Sequence, residues 1–332
     1  MFSLLLATAT LAVAPALADL GKPSLFDQGL HDPLIAFDTI AEPSAKNRQS
    51  SVPDICKKYA SGAGYGFDGD VQCDANSIEA REVFYEDCDQ SWTLCRCPDA
   101  NMDMDAIQHR FGQVPVGIRS YVGAVLATKA DGCSAVTFDG SFVRIHGDCG
   151  MTVYLHEAGH AFDQGFSGTQ GFNDAISASS CVPDGYANTN SVEDWTQVNV
   201  LYTYTKQFGP LPADPSCLQP QLDQLANDAR VNEGQDAKKC LADKRPFTTE
   251  NTMAPPEPAS TEAPAPEPTP TEAPAPPSTE APAPPTTTDT PAPPKKSCNS
   301  AKFRFRNRVK RAAISIAHKF IGKNTVTVAY SE

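Results

Sequence analysis

Twelve residues, Thr152-Val-Tyr-Leu-His-Glu-Ala-Gly-His-Ala-Phe-Asp163, constrain this chain more than any other stretch. They contain His156-Glu157-x-x-His160. On an α-helix, positions i and i+4 lie on one face a turn apart. Two imidazoles so spaced can reach one ion at about 2.0–2.1 Å, the usual Zn–N distance. Glu157 stands beside them, where its carboxylate can take a proton from water on that ion. A surface helix that happens to carry two of the chain's six histidines is the plainer alternative, since a four-position pattern also arises by chance. The surrounding sequence has to decide between them.

A catalytic zinc normally keeps three protein ligands and one open position. No histidine lies between His160 and His318, so the third ligand is expected to be a carboxylate. Phe166 occupies the place, ten residues after His156, where a metzincin has its third histidine. Between Glu157 and Glu193 the only carboxylates are Asp163, Asp174 and Asp184. Asp163 lies on the same helix as both histidines. It reads better as an acceptor for an imidazole N–H than as a ligand, which should approach from another direction. Glu193 is better placed: it opens the next strong helical pattern, which packed across the first can aim it at the ion. Gln197, one turn on, shares its face and can orient it. Asp184 is the main rival.

The rest of the chain sets the compartment and the organisation. Residues 1–18 form an apolar run ending in Ala16-Leu17-Ala18, the pattern of a cleaved signal peptide. Ten of the eleven cysteines lie between Cys56 and Cys240. In an oxidising compartment they are expected as five disulfides, and the absence of C-x-x-C argues against a thiolate zinc site. Residues 19–245 have globular composition, with 19–51 read as either an irregular arm or a propeptide. Residues 246–297 are a linker rich in Pro, Thr and Glu. Sixteen of the 29 prolines fall between Pro255 and Pro294, and Thr-Glu-Ala-Pro-Ala-Pro recurs at Thr261, Thr271 and Thr279. Such sequence buries no core and reads as a disordered stalk. The tail, 298–332, is basic. From Lys295 to Glu332 there are ten basic residues and one acid, a charge of +9, against a net −13 for the whole chain. The body is therefore strongly acidic and excludes nucleic acid as a partner by charge. The tail reads either as a cationic amphipathic helix suited to an anionic membrane or cell wall, or as a disordered basic tail or a read-through in gene prediction.

Local patterns place elements around the central stretch. Residues 66–70, rich in Gly and Asp, read as a turn. Residues 103–111 predict a short helix with Ile107 and Phe111 on one face, while 114–128 is apolar and ambiguous between strand and helix. Alternation on both sides of Asp139-Gly140 predicts a hairpin with a type I′ turn. Centred on that turn, Val136, Phe138, Val143 and Ile145 share one face, and His146 lies on the other as a structural histidine. Cys133 and Cys149 bracket the hairpin and can bridge it. Ser191-Val-Glu-Asp194 reads as a capping box that opens a helix through Phe208, with Trp195, Val198 and Tyr202 as its core stripe. A polar helix is expected over 219–231, with Cys217 and Cys240 able to close that stretch.

With these residues in view, Thr152–Gln197 resembles the catalytic core of the gluzincin metallopeptidases, in the branch of the anthrax lethal factor protease domain. That branch has H-E-x-x-H, then a Tyr, then seven residues later a Glu that begins a helix; here Tyr186 precedes Glu193 by seven. The run from Cys181 to Gln197 is similar to fungal secreted conidiation-specific proteins, themselves read as metallopeptidases. The resemblance spans roughly Pro98 to Phe208. It implies His156, His160 and Glu193 as zinc ligands, Glu157 as general base and Tyr186 as a donor to the oxyanion. The chain departs from the pattern in having Thr196-Gln197 for the usual Ala-Glu and a shorter gap between the motifs. The aspzincins need G-T-x-D, and this chain has Gly171 where their ligand Asp stands.

The expectation is a secreted zinc metalloendopeptidase: an α+β, zincin-like, disulfide-rich domain with a small mixed sheet and the HExxH helix, followed by a disordered stalk. Its partners would be Zn2+ and a protein or peptide substrate, and the protein would be a monomer. The reading from another class is a cell-wall or host-surface binding protein on an inactive metalloprotease-like scaffold. A zinc hydrolase that acts on something other than peptides is a third.

Overall fold

The computed structural model describes residues 19–61, 71–246 and 330–331. The signal-peptide assignment, the turn at 66–70, and the linker and tail assignments apart from residues 246 and 330–331 lie outside the described residues. The chain divides into two compact units. One is Met1–Pro255 together with Gly322–Glu332, and the other, Pro256–Ile321, contains no described residue.

In chain order the first unit contains β1 (Ser24–Phe26), β2 (Ala45–Gln49), α1 (Asp54–Ala60), β3 (Glu79–Tyr85), β4 (Trp92–Arg96), α2 (Met104–Gln113), α3 (Val116–Arg119) and β5 (Ala124–Thr128). Then come β6 (Ser134–Phe138), β7 (Phe142–His146), α4 (Met151–Asp163), α5 (Gln170–Ala178), β8 (Val182–Asp184) and α6 (Ser191–Phe208). Helices α7 (Gln219–Asn227) and α8 (Ala229–Asp236) complete the helical part, and β9 (Tyr330–Ser331) pairs with the start of β6. The main sheet has the order β2-β3-β4-β5-β7-β6, with β9 at the β6 edge. Strands β2 to β4 are antiparallel, β4, β5 and β7 run parallel, and β6 returns antiparallel on β7. The fold is therefore α+β on a mixed sheet, as expected.

Local chemistry accounts for most of the elements. Strand β5, Ala-Val-Leu-Ala-Thr, is buried at every position, which suits a central strand covered on both faces and explains why its sequence carries no alternation. Helix α2 begins at Asp103, whose carboxylate accepts the Ala106 N–H, and buries Ile107 and Phe111 as their spacing requires. Helix α6 is capped one residue before the predicted Ser191: the Asn190 side chain accepts from the N–H groups of Val192 and Glu193. Asn competes well at an N-cap because its short side chain reaches those donors directly. The polar helix expected at 219–231 is two helices, α7 and α8, broken at Asp228, which leaves helical geometry to cap α8 through Val231 N–H.

The hairpin differs from the expectation in register. Asp139 and Gly140 both have positive φ, 49° and 67°, as the Asp-Gly signal demands. Ser141, however, adds a residue to the loop, so that Phe138 pairs with Phe142 and Thr137 with Val143. A shift of one exchanges faces on a pleated strand. Val143 and Ile145 therefore share a face with Thr137 and Ala135, and Val136 and Phe138 share theirs with Arg144 and His146. This places Thr137 toward α4.

The arm at 19–51 is part of the domain. Leu30, Leu34 and Phe37 are buried, β2 pairs with β3, and β1 forms a two-stranded parallel sheet with β8. At the other end, Arg245 is buried against Trp92, its guanidinium 3.8 Å from the ring centroid, and donates to the Ser91 carbonyl. Burial and the neighbouring Arg119 push the Arg245 guanidinium down to about 9.

Five disulfides join Cys56–Cys95, Cys73–Cys97, Cys88–Cys240, Cys133–Cys149 and Cys181–Cys217. The hairpin bridge is as expected. Cys217 and Cys240 do not pair with each other: Cys217 holds the start of β8, and Cys240 returns to the end of β3 beside Cys88. In the chain-entropy limit, closing the 152-residue separation of Cys88–Cys240 contributes about 5 kcal/mol, against about 3 kcal/mol for the 16-residue separation of Cys133–Cys149. Replacing both cysteines of the first pair by serine should lower thermal stability more than the same change in the second, measured by calorimetry. Equal losses would show that native-state strain, not loop closure, sets their value.

A tight contact supports α4 from behind. A Cβ on Gly117 would lie 2.2 Å from the Gly234 carbonyl oxygen, and one on Gly234 would lie 2.6 Å from Phe162 Cζ. Gly117→Ala must therefore push α8 off α3 and is expected to cost about 1–3 kcal/mol, read from the denaturant midpoint.

Candidate metal centre

All thirteen residues of α4 are buried, so the HExxH helix is the centre of the domain and not a surface helix. It starts at Gly150, where a Cβ would meet His31 Nδ1 at 2.7 Å, and ends at Gln164 and Gly165, both with positive φ. It packs on β6 on one side and against α6 on another. The approach of α6 is close at Gly159, whose Cβ would stand 3.2 Å from Thr196 Cγ2 and 3.4 Å from Asn199 Nδ2. That glycine, inside the motif, lets α6 come near enough to bring Glu193 over the histidines.

The side chains converge. His156 Nε2 and His160 Nε2 are 3.0 Å apart, and each is 3.2 Å from Glu193 Oε2. Ligand atoms at 2.0–2.1 Å from a tetrahedral ion would stand about 3.3 Å apart. The triangle therefore needs to open by only a few tenths of an ångström to hold zinc. Among the described residues, these three form the group of His, Cys, Asp and Glu side chains whose ligand atoms gather closely enough to share an ion. Glu193 is fully buried, and neither of its oxygens has a hydrogen bond, although both imidazoles are at ion-pair distance. A buried carboxylate without donors is costly unless a cation faces it. Burial alone would raise the Glu193 carboxyl, but His160 and His156 outweigh it and hold the group at about 2. The donor set of two imidazoles and a carboxylate suits zinc.

Glu157 is fully buried on the same helix. Thr137 Oγ1 donates to its Oε2 at 2.7 Å and lies 2.9 Å from its backbone oxygen, while Oε1 has no hydrogen-bond partner. Burial pushes Glu157 up to about 7, against the pull of His156 and the Thr137 hydroxyl. Thr137 carries no signal in the sequence: its place facing α4 follows from the hairpin register.

The remaining candidates sort themselves around this centre. Tyr186 is half-buried, its ring centroid 5.6 Å from that of His156 and tilted edge-on. Asp184 is not among the converging ligands. Its Oδ1 accepts the backbone N–H groups of Tyr186 (3.1 Å) and Ala187 (3.0 Å), and its Oδ2 accepts from Gln197 Nε2 at 2.7 Å. Gln197 turns its Oε1 to His156 Nδ1 at 3.2 Å, so it serves His156 and not Glu193, the residue its spacing points to. Asp163 is also corrected: it accepts the Ser167 N–H and O–H, both at 2.7 Å, capping the turn after α4, and His160 Nδ1 has no hydrogen-bond partner. Asp174 lies on the exposed face of α5 and accepts from Gln170. His146, as expected, is structural, meeting Thr128 Oγ1 at 2.8 Å and the Arg144 guanidinium at 3.1 Å. Asp194 is fully buried with neither oxygen hydrogen-bonded; burial and Asp184 push its carboxyl well above the usual range, with Lys22 acting the other way.

Comparison with known proteins finds a family and a relative similar to this chain. Conidiation-specific protein 13 of Neurospora crassa is 34% identical over 144 residues, which are 40% of this chain and 42% of that protein. The chain thus matches less than half the length of that relative. No solved structure matches it. The model of the conidiation-specific protein Con-13 family matches residues 42–269, a stretch that contains the whole triangle of His156, His160 and Glu193. The chain belongs to the Con-13 family.

Proposed function

We propose that this protein is a secreted, zinc-dependent metallopeptidase with a gluzincin-type site in a zincin-like domain. The observation that carries the reading is the convergence of His156, His160 and Glu193 on one point, with Glu157 beside them on the same helix. Three ligands from two helices would leave the fourth position of a tetrahedral ion to water, as a catalytic zinc requires. Five disulfides agree with an oxidising, secretory compartment.

Zinc held there would lower the pKa of a bound water and polarise a carbonyl. The protein's own groups have the following parts. Thr137 holds Oε2 of Glu157, which leaves Oε1 to accept a proton and return it to the leaving amine. Tyr186, against His156, is the donor to the developing oxyanion. A surface-binding scaffold would need neither a buried Glu157 nor a hydroxyl to orient it.

Elemental analysis of the purified protein should find one zinc per chain, lost in His156→Ala and in Glu193→Ala. A protein that is folded, supplied with zinc and still without it would sink the proposal. Glu157→Gln should keep the zinc and lose peptide-library cleavage by a factor of about 10²–10⁴, the usual worth of a positioned general base. Thr137→Val should lower kcat by about tenfold, with KM and zinc content unchanged, since it removes one hydrogen bond to a charged group. A change in KM alone would assign Thr137 to substrate binding instead.

A further inference from the structure

Resting on that metal reading, we propose that Gln197 and Asp184 are positioning residues which fix the tautomer of His156, keeping its Nε2 lone pair turned to the metal position. The inference follows from hydrogen-bonding capacity alone. Asp184 is buried, and its Oδ1 is occupied by the N–H groups of Tyr186 and Ala187. A carboxylate only accepts. Gln197 must therefore offer its NH2 to Asp184 Oδ2, and this turns its carbonyl oxygen to His156. An amide oxygen also only accepts, so the 3.2 Å contact places the proton on His156 Nδ1. A neutral imidazole protonated at Nδ1 has its lone pair at Nε2, the atom that faces Glu193 and His160.

Metal-binding histidines usually donate their second nitrogen to a carboxylate, a carbonyl or water. Here a carboxamide stands in contact with the ring, and the carboxylate that sets its direction is one link farther out. Strand β1 braces that link, since Phe26 is in register with Asp184 on β8. The arrangement also explains why Asp184, a rival ligand by sequence, is buried near the centre without joining it.

The direction of the chain makes a sharp test. In Asp184→Asn, Oδ1 can still accept the two backbone N–H groups, but an NH2 then faces the NH2 of Gln197. Turning Gln197 over would relieve this and force the proton of His156 onto Nε2, where it blocks the metal. Gln197→Glu keeps an acceptor for His156 and sets two carboxylates against each other. The double variant restores one donor and one acceptor at every link. Zinc affinity, measured by competition with a chromophoric chelator, should fall about 10–100-fold in each single variant. In Asp184→Asn/Gln197→Glu it should return to within about threefold of the natural chain. Both exchanges are nearly isosteric, and thermal melting checks that all three variants fold. Single variants that bind zinc like the natural chain, or a double variant no tighter than the weaker single one, would overturn the proposal. If the natural chain takes up no zinc, the metal reading fails by itself, and imidazole 15N shifts then read the tautomer. His156 protonated at Nδ1 in the natural chain and at Nε2 in Asp184→Asn would uphold the relay, and Nε2–H in the natural chain would end it.

Discussion

The structure depends on the crossing of α4 and α6. Neither helix has the whole candidate group: α4 supplies two imidazoles and α6 one carboxylate. Their approach is set at Gly159, where a side chain would press on Thr196 and Asn199. The interface is also unusually polar for a domain core. Glu193, Asp194, Thr196, Gln197, Asn199 and Thr203 are all buried along α6. Such groups are tolerated inside a protein when they are partnered or face a charge. Gln197 is tied to Asp184 and His156, and Asn199 and Thr203 accept from Gln235 of α8. Glu193 faces the two imidazoles of α4, and these three side chains gather closely enough that they could share an ion.

The sheet supports the same centre from the other side. Strand β6 carries Thr137 against Glu157, so the orientation of the proposed base depends on strand register, while His156 meets Gln197, which donates to Asp184 of β8. Two residues adjacent in sequence, His156 and Glu157, are thus steered by unrelated parts of the fold. The helix fixes their spacing, and their side-chain directions are set elsewhere.

This separation explains what can be read from the sequence. The helix with His156, Glu157 and His160, and the helix headed by Glu193, are legible because they rest on local periodicity and on residue types that bind metal. The α+β class, the helix at Ile107 and Phe111 and the Cys133–Cys149 bridge are legible for the same reason, being short-range. The hairpin register escapes a sequence reading because Ser141 extends a turn whose Asp-Gly signal is otherwise met. The N-cap falls at Asn190 because two good capping residues stand side by side. The partners of Cys217 and Cys240, the pairing of β1 with β8 and the role of Thr137 are long-range facts with no local trace. Gln197 lies between these cases: its spacing places it on the Glu193 face, but the ligand it serves is decided by where Asp184 stands.

The pairing of β1 with β8 has a consequence for how the molecule comes to be. Ser24 pairs with Val182, so a strand made among the first residues of the domain waits for one made far later. Contacts of such sequence separation form slowly, because loop closure precedes any gain from them. The segment in contact with Gln197 is therefore ordered only after most of the domain has been synthesised, and the Cys88–Cys240 closure needs the chain past its last α-helix. A nascent chain carries the HExxH motif well before it carries the geometry that would make it a metal site. Any chemistry proposed for that site waits on these long-range contacts.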